Sequence, residues 1–387
     1  MRISLIIPSF YPAVVYGGPI FATLHAAEAL SEKGVLVYVS TTNANGKEKL
    51  KVTPNKFIKH KNNLYIKYYN ETIINRFSFD MLKGLWKDIK DADIVHVQSI
   101  FSLPSPMGLF YSKIFKKKVL LSPRGSLCKW CFNEKTMFKK LWLKFLINPF
   151  IKDIKWHATS IKEKEDIKSI FPNAEVVIIP DGVNIKEFSN PKDLSPKEFM
   201  QKFAKVNLSP DKIIVSMARI HKVKGFDILI KSFKKVLKEY PNAVLLIAGK
   251  DDGELENLKN LTKNLNIEDK VFFTGALYKE DKRDFLANAD LFVLPSHTEN
   301  FGIVYIESLA AGTPIVASKN TPWQEVEKYG CGKWVENNIE NTSLAIKEML
   351  KKDKNELRKK SIEFAKKYDW DNIAEEFKKI FKEMINE

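Results

Sequence analysis

Residues 291–314, LFVLPSHTENFGIVYIESLAAGTP, contain the pattern that decides the fold. Leu291–Leu294 is an uninterrupted apolar run, which is typical of a buried parallel strand. A polar loop follows, and the stretch from about Phe301 to Ala311 has the composition of a helix that ends at Gly312. The segment is therefore a strand–loop–helix unit, with its polar residues just beyond the carboxyl end of a buried strand.

The same alternation of apolar strand and helix recurs along the chain. The apolar runs are 3–7, 35–41, 94–97, 119–122 and 176–179, followed by 213–217, 244–248, 271–273, 291–294 and 315–317. Such alternation predicts an α/β fold with doubly wound parallel sheets. A Lys-, Ser- and Pro-rich stretch, 189–210, separates the two series and predicts a domain boundary. We expect two Rossmann-like domains facing a cleft: residues 1–200, joined by a returning C-terminal helix at about 371–387, and residues 201–370.

The bulk composition limits the class of protein. The chain has 387 residues, 44% of them apolar, which suffices for two cores. No apolar run approaches about 18 residues, so we predict no transmembrane helix. Proline interrupts the apolar N-terminus at position 8, which favours a buried first strand over a signal peptide. The three cysteines (Cys128, Cys131 and Cys331) predict reduced thiols in a cytoplasmic protein and do not complete a zinc site.

Positive charge is concentrated in the first half of the chain. Residues 1–190 carry 29 basic and 16 acidic side chains, a net charge of +13 out of +16 for the whole chain. This predicts an anionic partner, and the absence of any nucleic-acid-binding motif favours a membrane over nucleic acid. Residues 135–155 mix lysines with aromatic residues, as in an amphipathic helix on an anionic bilayer; a packed helix with a solvated lysine face is the alternative. The Lys-rich stretch 43–63 is expected to be a mobile loop.

Glu299 and Glu307 are the principal candidate site residues. They lie eight residues apart, which corresponds to roughly 12 Å along a helix. This is about the distance from the hexose to the ribose of a nucleotide-sugar. A helix N-terminus between them would favour a diphosphate, since its N–H groups and dipole attract anions. The apolar neighbours of Glu307 argue against an ordinary solvated position.

Two further loops carry residues suited to phosphate. Arg219 and Lys224 follow the apolar run 213–217, where they could stabilise the charge that develops on a diphosphate leaving group. Gly17 and Gly18 join the first strand to the first helix. Glycines there allow close backbone approach to a phosphate or sugar, although an ordinary tight turn would have the same sequence.

Taken together, these residues resemble glycosyltransferase family 4, whose members are retaining enzymes of the GT-B fold. The resemblance covers nearly the whole chain. It rests on Glu299-x7-Glu307, Arg219 with Lys224-Gly225, Gly17-Gly18, and the segments 179–184 (IPDGVN), 321–325 (TPWQE) and 368–370 (YDW). It implies transfer of a hexose from a nucleoside-diphosphate sugar, with UDP favoured, to a glycan or lipid-linked glycan. The implied process is cell-surface polysaccharide biosynthesis, such as that of lipopolysaccharide, by a protein that is cytoplasmic or peripheral on the inner membrane face.

The resemblance also implies roles for individual residues. Glu299 would face the donor hexose, Glu307 would hold the ribose, and Arg219 and Lys224 would bind the diphosphate in a reaction on one face of the sugar that needs no metal or other cofactor. The implied catalytic residues are Glu299, Arg219, Lys224, Arg124 and His96. The implied donor-binding residues are Gly17, Gly18, Arg219, Lys224, Glu299, Asn300, Phe301, Gly302, Ile303 and Glu307.

One motif departs from the family pattern. Many relatives carry His-Gly after the strand near residue 122, whereas this chain has Pro-Arg-Gly, which resembles a branch of polysaccharide-assembly transferases. Arg124 could contact a phosphate or hydroxyl of a substrate, or pair with a buried carboxylate. His96, expected at a strand end, could contact the acceptor or be a core histidine.

The chain offers no persuasive metal site and leaves other function classes open. Asp91-Ala-Asp93 runs directly into an apolar strand, so we interpret it as a helix–strand junction. Alternatives to a transferase are a GT-B nucleotide-sugar epimerase and a non-catalytic nucleotide-sugar or polyanion binding protein. The four charged residues Arg219, Lys224, Glu299 and Glu307 argue against an inactive site. The sequence shows no clear lysine motif of the kind that a phosphorylase needs.

Overall fold

The computed structural model describes residues 1–72, 76–128 and 136–387. The chain forms two compact units, one made of Met1–Gly182 with Trp370–Glu387 and the other of Val183–Asp369. The boundary lies before the expected position near residue 200. The physical reason is that Phe188 and Phe199, in the segment between, are buried in the core of the second unit.

The first unit is built on an eight-stranded sheet and a small hairpin. The sheet order is β10-β9-β8-β7-β1-β2-β6-β5, parallel except that β5 is antiparallel to β6, and β3 and β4 pair separately. The strands are β1 (Arg2–Ser9), β2 (Leu36–Thr42), β3 (Ala44–Asn45), β4 (Glu48–Lys49), β5 (Ile58–Lys61), β6 (Leu64–Tyr69), β7 (Ile94–Gln98), β8 (Lys118–Ser122), β9 (Lys155–Ala158) and β10 (Glu175–Ile178).

Helices connect these strands. They are α1 (Gly18–Glu32), α2 (Phe79–Lys90), α3 (Pro104–Ile114), α4 (Thr136–Trp142), α5 (Ile161–Ile170) and, at the end of the chain, α15 (Trp370–Asn386). A π-helical turn (Leu143–Ile147) and a 3-10 turn (Asn148–Phe150) extend α4. The last helix packs on α1, where Lys33 lies 3.4 Å from Asp371.

The second unit has a six-stranded, fully parallel sheet of order β13-β12-β11-β14-β15-β16. Its strands are β11 (Lys212–Met217), β12 (Ala243–Ala248), β13 (Val271–Gly275), β14 (Leu291–Leu294), β15 (Ile315–Ser318) and β16 (Gly332–Val335). Its helices are α6 (Ile185–Phe188), α7 (Pro196–Phe203), α8 (Phe226–Val236), α9 (Leu255–Asn264), α10 (Lys279–Ala287), α11 (Ile303–Ala310), α12 (Glu325–Tyr329), α13 (Ile339–Leu350) and α14 (Lys354–Ala365).

The chain order of this second sheet reverses between β11 and β14. The first three strands extend to one side of that point and the last three to the other, which is the Rossmann arrangement. The central strands are apolar along their length because both faces of the sheet are covered; β14 is buried at every position. Ligands in such sheets bind beyond the carboxyl ends of the strands at the reversal point. The loops after β11 and β14 therefore occupy the position where a site is expected.

The two parallel-sheet α/β units confirm the predicted fold class. Each of the ten predicted apolar runs corresponds to a strand, with differences of one or two residues at the ends. The predicted loop at 43–63 is wrong, because it contains the β3–β4 hairpin and edge strand β5. β5 has the sequence Ile-Lys-His-Lys and is exposed throughout, so charged side chains cover an open sheet edge and obscure the strand pattern.

The predicted amphipathic helix at 135–155 is shorter than expected. Its first residue lies outside the described ranges, its regular turns end at Trp142, and β9 begins at Lys155. The proline at position 149 explains the break, since it cannot donate a helical hydrogen bond. No helix within the described residues is long and apolar enough to cross a bilayer.

Candidate functional site

The loops after β11 and β14 meet at the reversal point of the second sheet. Gly225, at φ +68°, ends the 3-10 turn Lys222–Lys224, and a Cβ there would lie 2.1 Å from the carbonyl oxygen of Pro295. The His297 N–H donates a 2.8 Å hydrogen bond to the carbonyl of Val223. Glycine is required at position 225 because any side chain would separate the loops.

Lys224 and Glu299 form the centre of this meeting point. The Lys224 Nζ lies 2.6 Å from Glu299 Oε2, and the two side chains are 14% and 17% exposed. The Ser296 hydroxyl donates to the same oxygen at 3.3 Å. The pair thus presents an ammonium and a carboxylate side by side, with their orientations fixed by the loops. We call Lys224, Glu299 and the N-terminus of α11 the switch-point site.

The N-terminus of α11 begins immediately after Glu299. Its N-cap is Gly302 in the left-handed conformation (φ +78°), a residue that has no side chain with which to cap the helix. A Cβ on Gly302 would lie 2.8 Å from Glu299 Cγ, so the carboxylate side chain packs directly against the helix start. The N–H groups at a helix start attract anions. Three groups therefore converge here: a carboxylate that can accept hydrogen bonds from hydroxyl groups, a cation and a helix N-terminus.

Trp323 supports this helix start from inside the unit. It is buried, its Nε1–H donates to the carbonyl of Phe301 at 2.8 Å, and its ring centroid lies 5.0 Å from that of Phe301. Trp323 also contacts the rings of Tyr305 and Tyr368. Trp323 and Tyr368 belong to segments that the sequence linked to the site only by resemblance, and they contribute aromatic support beneath it.

Glu307 lies in the second turn of α11 and has its own cation. Its Oε1 accepts a 2.6 Å hydrogen bond from Lys282 of α10, and the carboxylate is 16% exposed. Burial tends to lower the pKa of Lys282, but Glu307 and Glu187 raise it above its ordinary value, so the ammonium is held charged. Lys282 was missed by sequence reasoning, since it is one of several charged residues on a polar helix and only the fold brings it to Glu307.

Arg219 has a different partner from Lys224. Its Nη1 donates to Asp252 Oδ2 at 2.5 Å, in the loop after β12, and its side chain is 59% exposed. Gly249 (φ +157°) permits the approach of these two loops, since a Cβ there would lie 1.7 Å from the carbonyl oxygen of Ala218. The structure therefore pairs Arg219 with a carboxylate of the adjacent loop and Lys224 with Glu299.

In the first unit, the Gly17–Gly18 pair starts α1. Gly17 adopts φ +76° as the N-cap, and the space where its Cβ would lie is open to 4 Å. Pro19 follows in the first turn, where a missing N–H costs nothing. The glycine thus serves the turn into the helix and also leaves backbone accessible at the carboxyl end of β1, consistent with either interpretation of the sequence.

Arg124 occupies a polar cluster at the carboxyl edge of the first sheet. It is a non-glycine residue at φ +57°, and its guanidinium donates to Asp181 Oδ1 at 2.5 Å and to Gln98 Oε1 at 3.1 Å. Thr23 donates to the same Gln98 oxygen at 2.8 Å. Both side chains of the Arg124–Asp181 pair are 11% exposed. Of the two roles considered from sequence, the structure shows the pairing with a buried carboxylate.

His96 is the central residue of β7, so the expectation that it lies at a strand end is wrong. Its Nε2 lies 2.8 Å from the Ser122 hydroxyl, which in turn lies 2.8 Å from His157 Nδ1. The rings of Phe377 and Phe381 pack against it. Burial lowers the pKa of His96 well below its ordinary value. This buried, neutral imidazole corresponds to the core-histidine alternative, because its Nε2 and its ring contact residues of the same unit.

The predicted helix–strand junction at Asp91 and Asp93 has a structural partner. The Arg2 N–H donates to Asp93 Oδ2 at 2.7 Å, and the Arg2 guanidinium lies 3.9 Å from Asp91. Across residues 1–72, 76–128 and 136–387, no three His, Cys, Asp or Glu side chains form a metal-binding group. The second cysteine of the Cys128-x-x-Cys131 motif lies outside the described residues.

Comparisons with known proteins agree with this architecture. Residues 198–368, somewhat under half of the chain, match the family model described as "Glycosyl transferases group 1". The chain is 28% identical over 232 residues to alpha-monoglucosyldiacylglycerol synthase of Streptococcus pneumoniae, a match that covers 59% of this chain and 52% of the relative. It is 27% identical over 231 residues to the O-antigen biosynthesis glycosyltransferase WclY of Escherichia coli, covering 58% and 61%. The matches thus span little more than half of each relative's length.

The fold is also that of solved glycosyltransferases. Anabaena HepE in complex with UDP superposes with a TM-score of 0.76 at 16% identity, covering 99% of this chain and 100% of that protein. At this identity the likeness shows the fold, which is GT-B. The matched family region lies entirely within the second unit and contains the switch-point site.

Proposed function

We propose that this protein is a retaining glycosyltransferase that moves a hexose from a nucleoside-diphosphate sugar, with UDP as the nucleotide, to a glycan or lipid-linked glycan acceptor. The proposed process is cell-surface polysaccharide assembly. The proposal assigns the chain to the family 4 transferases, in the branch that carries Pro-Arg-Gly at residues 123–125.

The observation that carries the proposal is the convergence at the switch-point site. Lys224 and Glu299 lie 2.6 Å apart in front of the start of helix α11, at the point where a Rossmann-type sheet binds its ligand. Glu307 lies in the second turn of the same helix. A nucleotide-sugar presents hexose hydroxyls, a diphosphate and ribose hydroxyls in that order, and this arrangement offers a carboxylate, positive charge and a second carboxylate in the same order.

The comparisons support the same class of substrate. HepE was solved with UDP and with UDP-glucose, and the two relatives named above act in glycolipid and O-antigen synthesis according to their names. These properties belong to those proteins. They support a UDP-sugar donor and a lipid-linked or glycan acceptor for this chain as part of the proposal.

The proposed chemistry follows from the charges at the site. The bond between the hexose C1 and the diphosphate oxygen breaks, and negative charge develops on that oxygen. Lys224 and the α11 N–H groups stabilise this charge. Arg219 releases Asp252 and binds the other phosphate of the diphosphate. The acceptor oxygen attacks C1 on the same face, and its proton passes to the leaving phosphate oxygen. Glu299 orients the hexose through its hydroxyl groups, and no metal takes part.

The first-unit residues have supporting roles in this proposal. Gly17 and Gly18 provide backbone for a phosphate or sugar at the carboxyl end of β1. Arg124 contributes positive charge at the same edge, held by Asp181. The protein acts on the cytoplasmic side, with peripheral contact to an anionic membrane.

A thermal-shift series tests the donor assignment. UDP-, GDP-, ADP- and TDP-sugars would be compared in EDTA, since a ligand that binds the native state raises the melting temperature with its affinity. We expect a rise with UDP-sugars that Glu307→Gln abolishes and that Glu327→Gln, on exposed α12, preserves. No rise with any nucleotide, or a rise that survives Glu307→Gln, would refute the assignment.

Product analysis separates the function classes. A transferase releases UDP in proportion to acceptor glycosylated, with the anomeric configuration of the donor retained. An epimerase converts donor without acceptor, and a binding protein shows a thermal shift with neither product. Conversion of donor to an epimer, or binding without any turnover on a panel of glycolipid and glycan acceptors, would contradict the proposal.

A further inference from the structure

The segment that begins with α4 exposes large apolar side chains on the surface of the first unit. Met137 is 79% exposed, Phe138 and Phe145 are each 62% exposed, and Leu141 is 49% exposed. On the opposite side of the segment Leu143 is buried in the core. A surface helix normally packs one apolar face on the core and exposes a polar face. Here the inward face packs on the core, and the outward face is apolar as well.

Neighbouring residues enlarge this apolar surface. Phe110 and Ile114 of α3 are 45% and 53% exposed, and the ring of Phe110 lies 6.0 Å from that of Phe150, in the 3-10 turn that extends α4. Exposed aromatic and aliphatic side chains grouped on neighbouring elements of a protein surface mark an interaction site. We call these exposed residues of α3 and residues 137–145 the apolar platform.

The charged side chains within residues 136–152 have a single sign. Residues 136–152 contain lysines at positions 139, 140, 144 and 152 and no acidic residue. Lys140 and Lys144 are exposed, and α3 adds Lys113, which lies over the ring of Phe150 at 5.6 Å. An anionic surface therefore complements the platform both in charge and in its apolar centre.

We infer that the apolar platform is the surface by which this protein binds an anionic lipid bilayer. Phe138, Leu141 and Phe145 insert at the boundary between headgroups and acyl chains, while Lys140 and Lys144 contact lipid phosphates. A second copy of the chain is the poorer partner, because a symmetric dimer through this face would bring lysines against lysines without an opposing carboxylate from residues 136–152. The inference concerns the first unit alone and does not depend on which sugar is transferred.

Vesicle co-sedimentation tests the inference without donor or acceptor. The full chain would be mixed with vesicles of phosphatidylglycerol and phosphatidylcholine, or of phosphatidylcholine alone, at low and high salt. We expect binding to the anionic vesicles that weakens with salt, since screening reduces the lysine–phosphate attraction. Phe138→Ser combined with Phe145→Ser should weaken binding at least about tenfold, because two bulky side chains no longer leave water. Lys140→Gln combined with Lys144→Gln should weaken it roughly fivefold per charge removed.

The matched control is Ile161→Ser on α5, a residue 57% exposed outside the platform, which should bind as the parent does. Melting temperatures of all variants establish that they are folded, as expected for substitutions of exposed side chains. Absence of binding by the parent protein, or full binding by the double serine variant, would overturn the inference. A dimer in solution that the double serine variant abolishes would also overturn it, by assigning the platform to a second copy.

Discussion

Replacing Lys224 with methionine tests the centre of the switch-point site. The 3-10 turn Lys222–Lys224 offers a matched control within one turn of chain. The Lys224 side chain is 14% exposed and lies 2.6 Å from Glu299, whereas Lys222 is 77% exposed and lies 3.7 Å from Glu254. The two substitutions remove the same charge from the same local sequence, and only one of them removes it from the site.

The structure sets the expected magnitudes. Loss of a group that stabilises leaving-group charge costs about 2–4 kcal/mol, which lowers turnover roughly 30- to 1000-fold. Lys224→Met also leaves Glu299 without its ammonium in a largely buried position, which should cost about 1–3 kcal/mol of folding free energy. Lys222→Met should change stability by less than about 0.5 kcal/mol, because its ion pair is exposed to solvent.

Turnover would be followed by UDP release at saturating donor, with stability from urea denaturation in the absence of ligand. Lys224→Arg keeps the charge and should retain more activity than Lys224→Met. Equal turnover in Lys224→Met and Lys222→Met would refute the assignment of Lys224 to the leaving group. A loss of stability without loss of turnover per folded molecule would leave Lys224 as a partner of Glu299 only.

Three further perturbations follow from the geometry. Burial lowers the pKa of His157 to about 4, so at pH between about 4 and 6.5 the unfolded chain binds a proton that the native state refuses. Acidification through that window should therefore cost about 3 kcal/mol of unfolding free energy from His157, and the buried His96, whose pKa is also lowered, adds to that loss. Urea curves should show this slope and His157→Gln should reduce it by about that amount. A slope unchanged in His157→Gln would contradict the argument. Trp323→Phe retains a ring but removes the N–H that donates to the Phe301 carbonyl, which should lower the free energy of unfolding by about 1–3 kcal/mol. It should also weaken UDP binding measured by calorimetry; unchanged affinity would show that Trp323 does not support the site. Gly225→Ala should lower the melting temperature and abolish the donor-induced shift, because the methyl group enters a space occupied by a carbonyl oxygen of the neighbouring loop; a variant that still shows the full shift would show that the two loops need not touch.

The strands were predictable because burial of both sheet faces imposes apolar runs. The second-sheet strands β11, β12, β14 and β15 could be located from such runs alone. The strands β5, β6, β9 and β16 and the short β3–β4 hairpin were missed, because charged, polar or partly exposed residues interrupt the apolar run in each of them. The boundary near residue 200 was placed by composition, whereas the apolar side chains before it decide which core that segment joins.

The sequence by itself determined the α/β class, the loops that carry the candidate residues and the positions where a tight turn requires glycine. These features depend on local periodicity and on conformations that few residues adopt. Only the tertiary structure decided which charges meet. It pairs Lys224 with Glu299, Lys282 with Glu307 and Arg124 with Asp181, and it encloses His96 among aromatic rings. Such pairings join positions far apart in the chain, so the order in which strands lie in the sheet creates them and no local pattern records them.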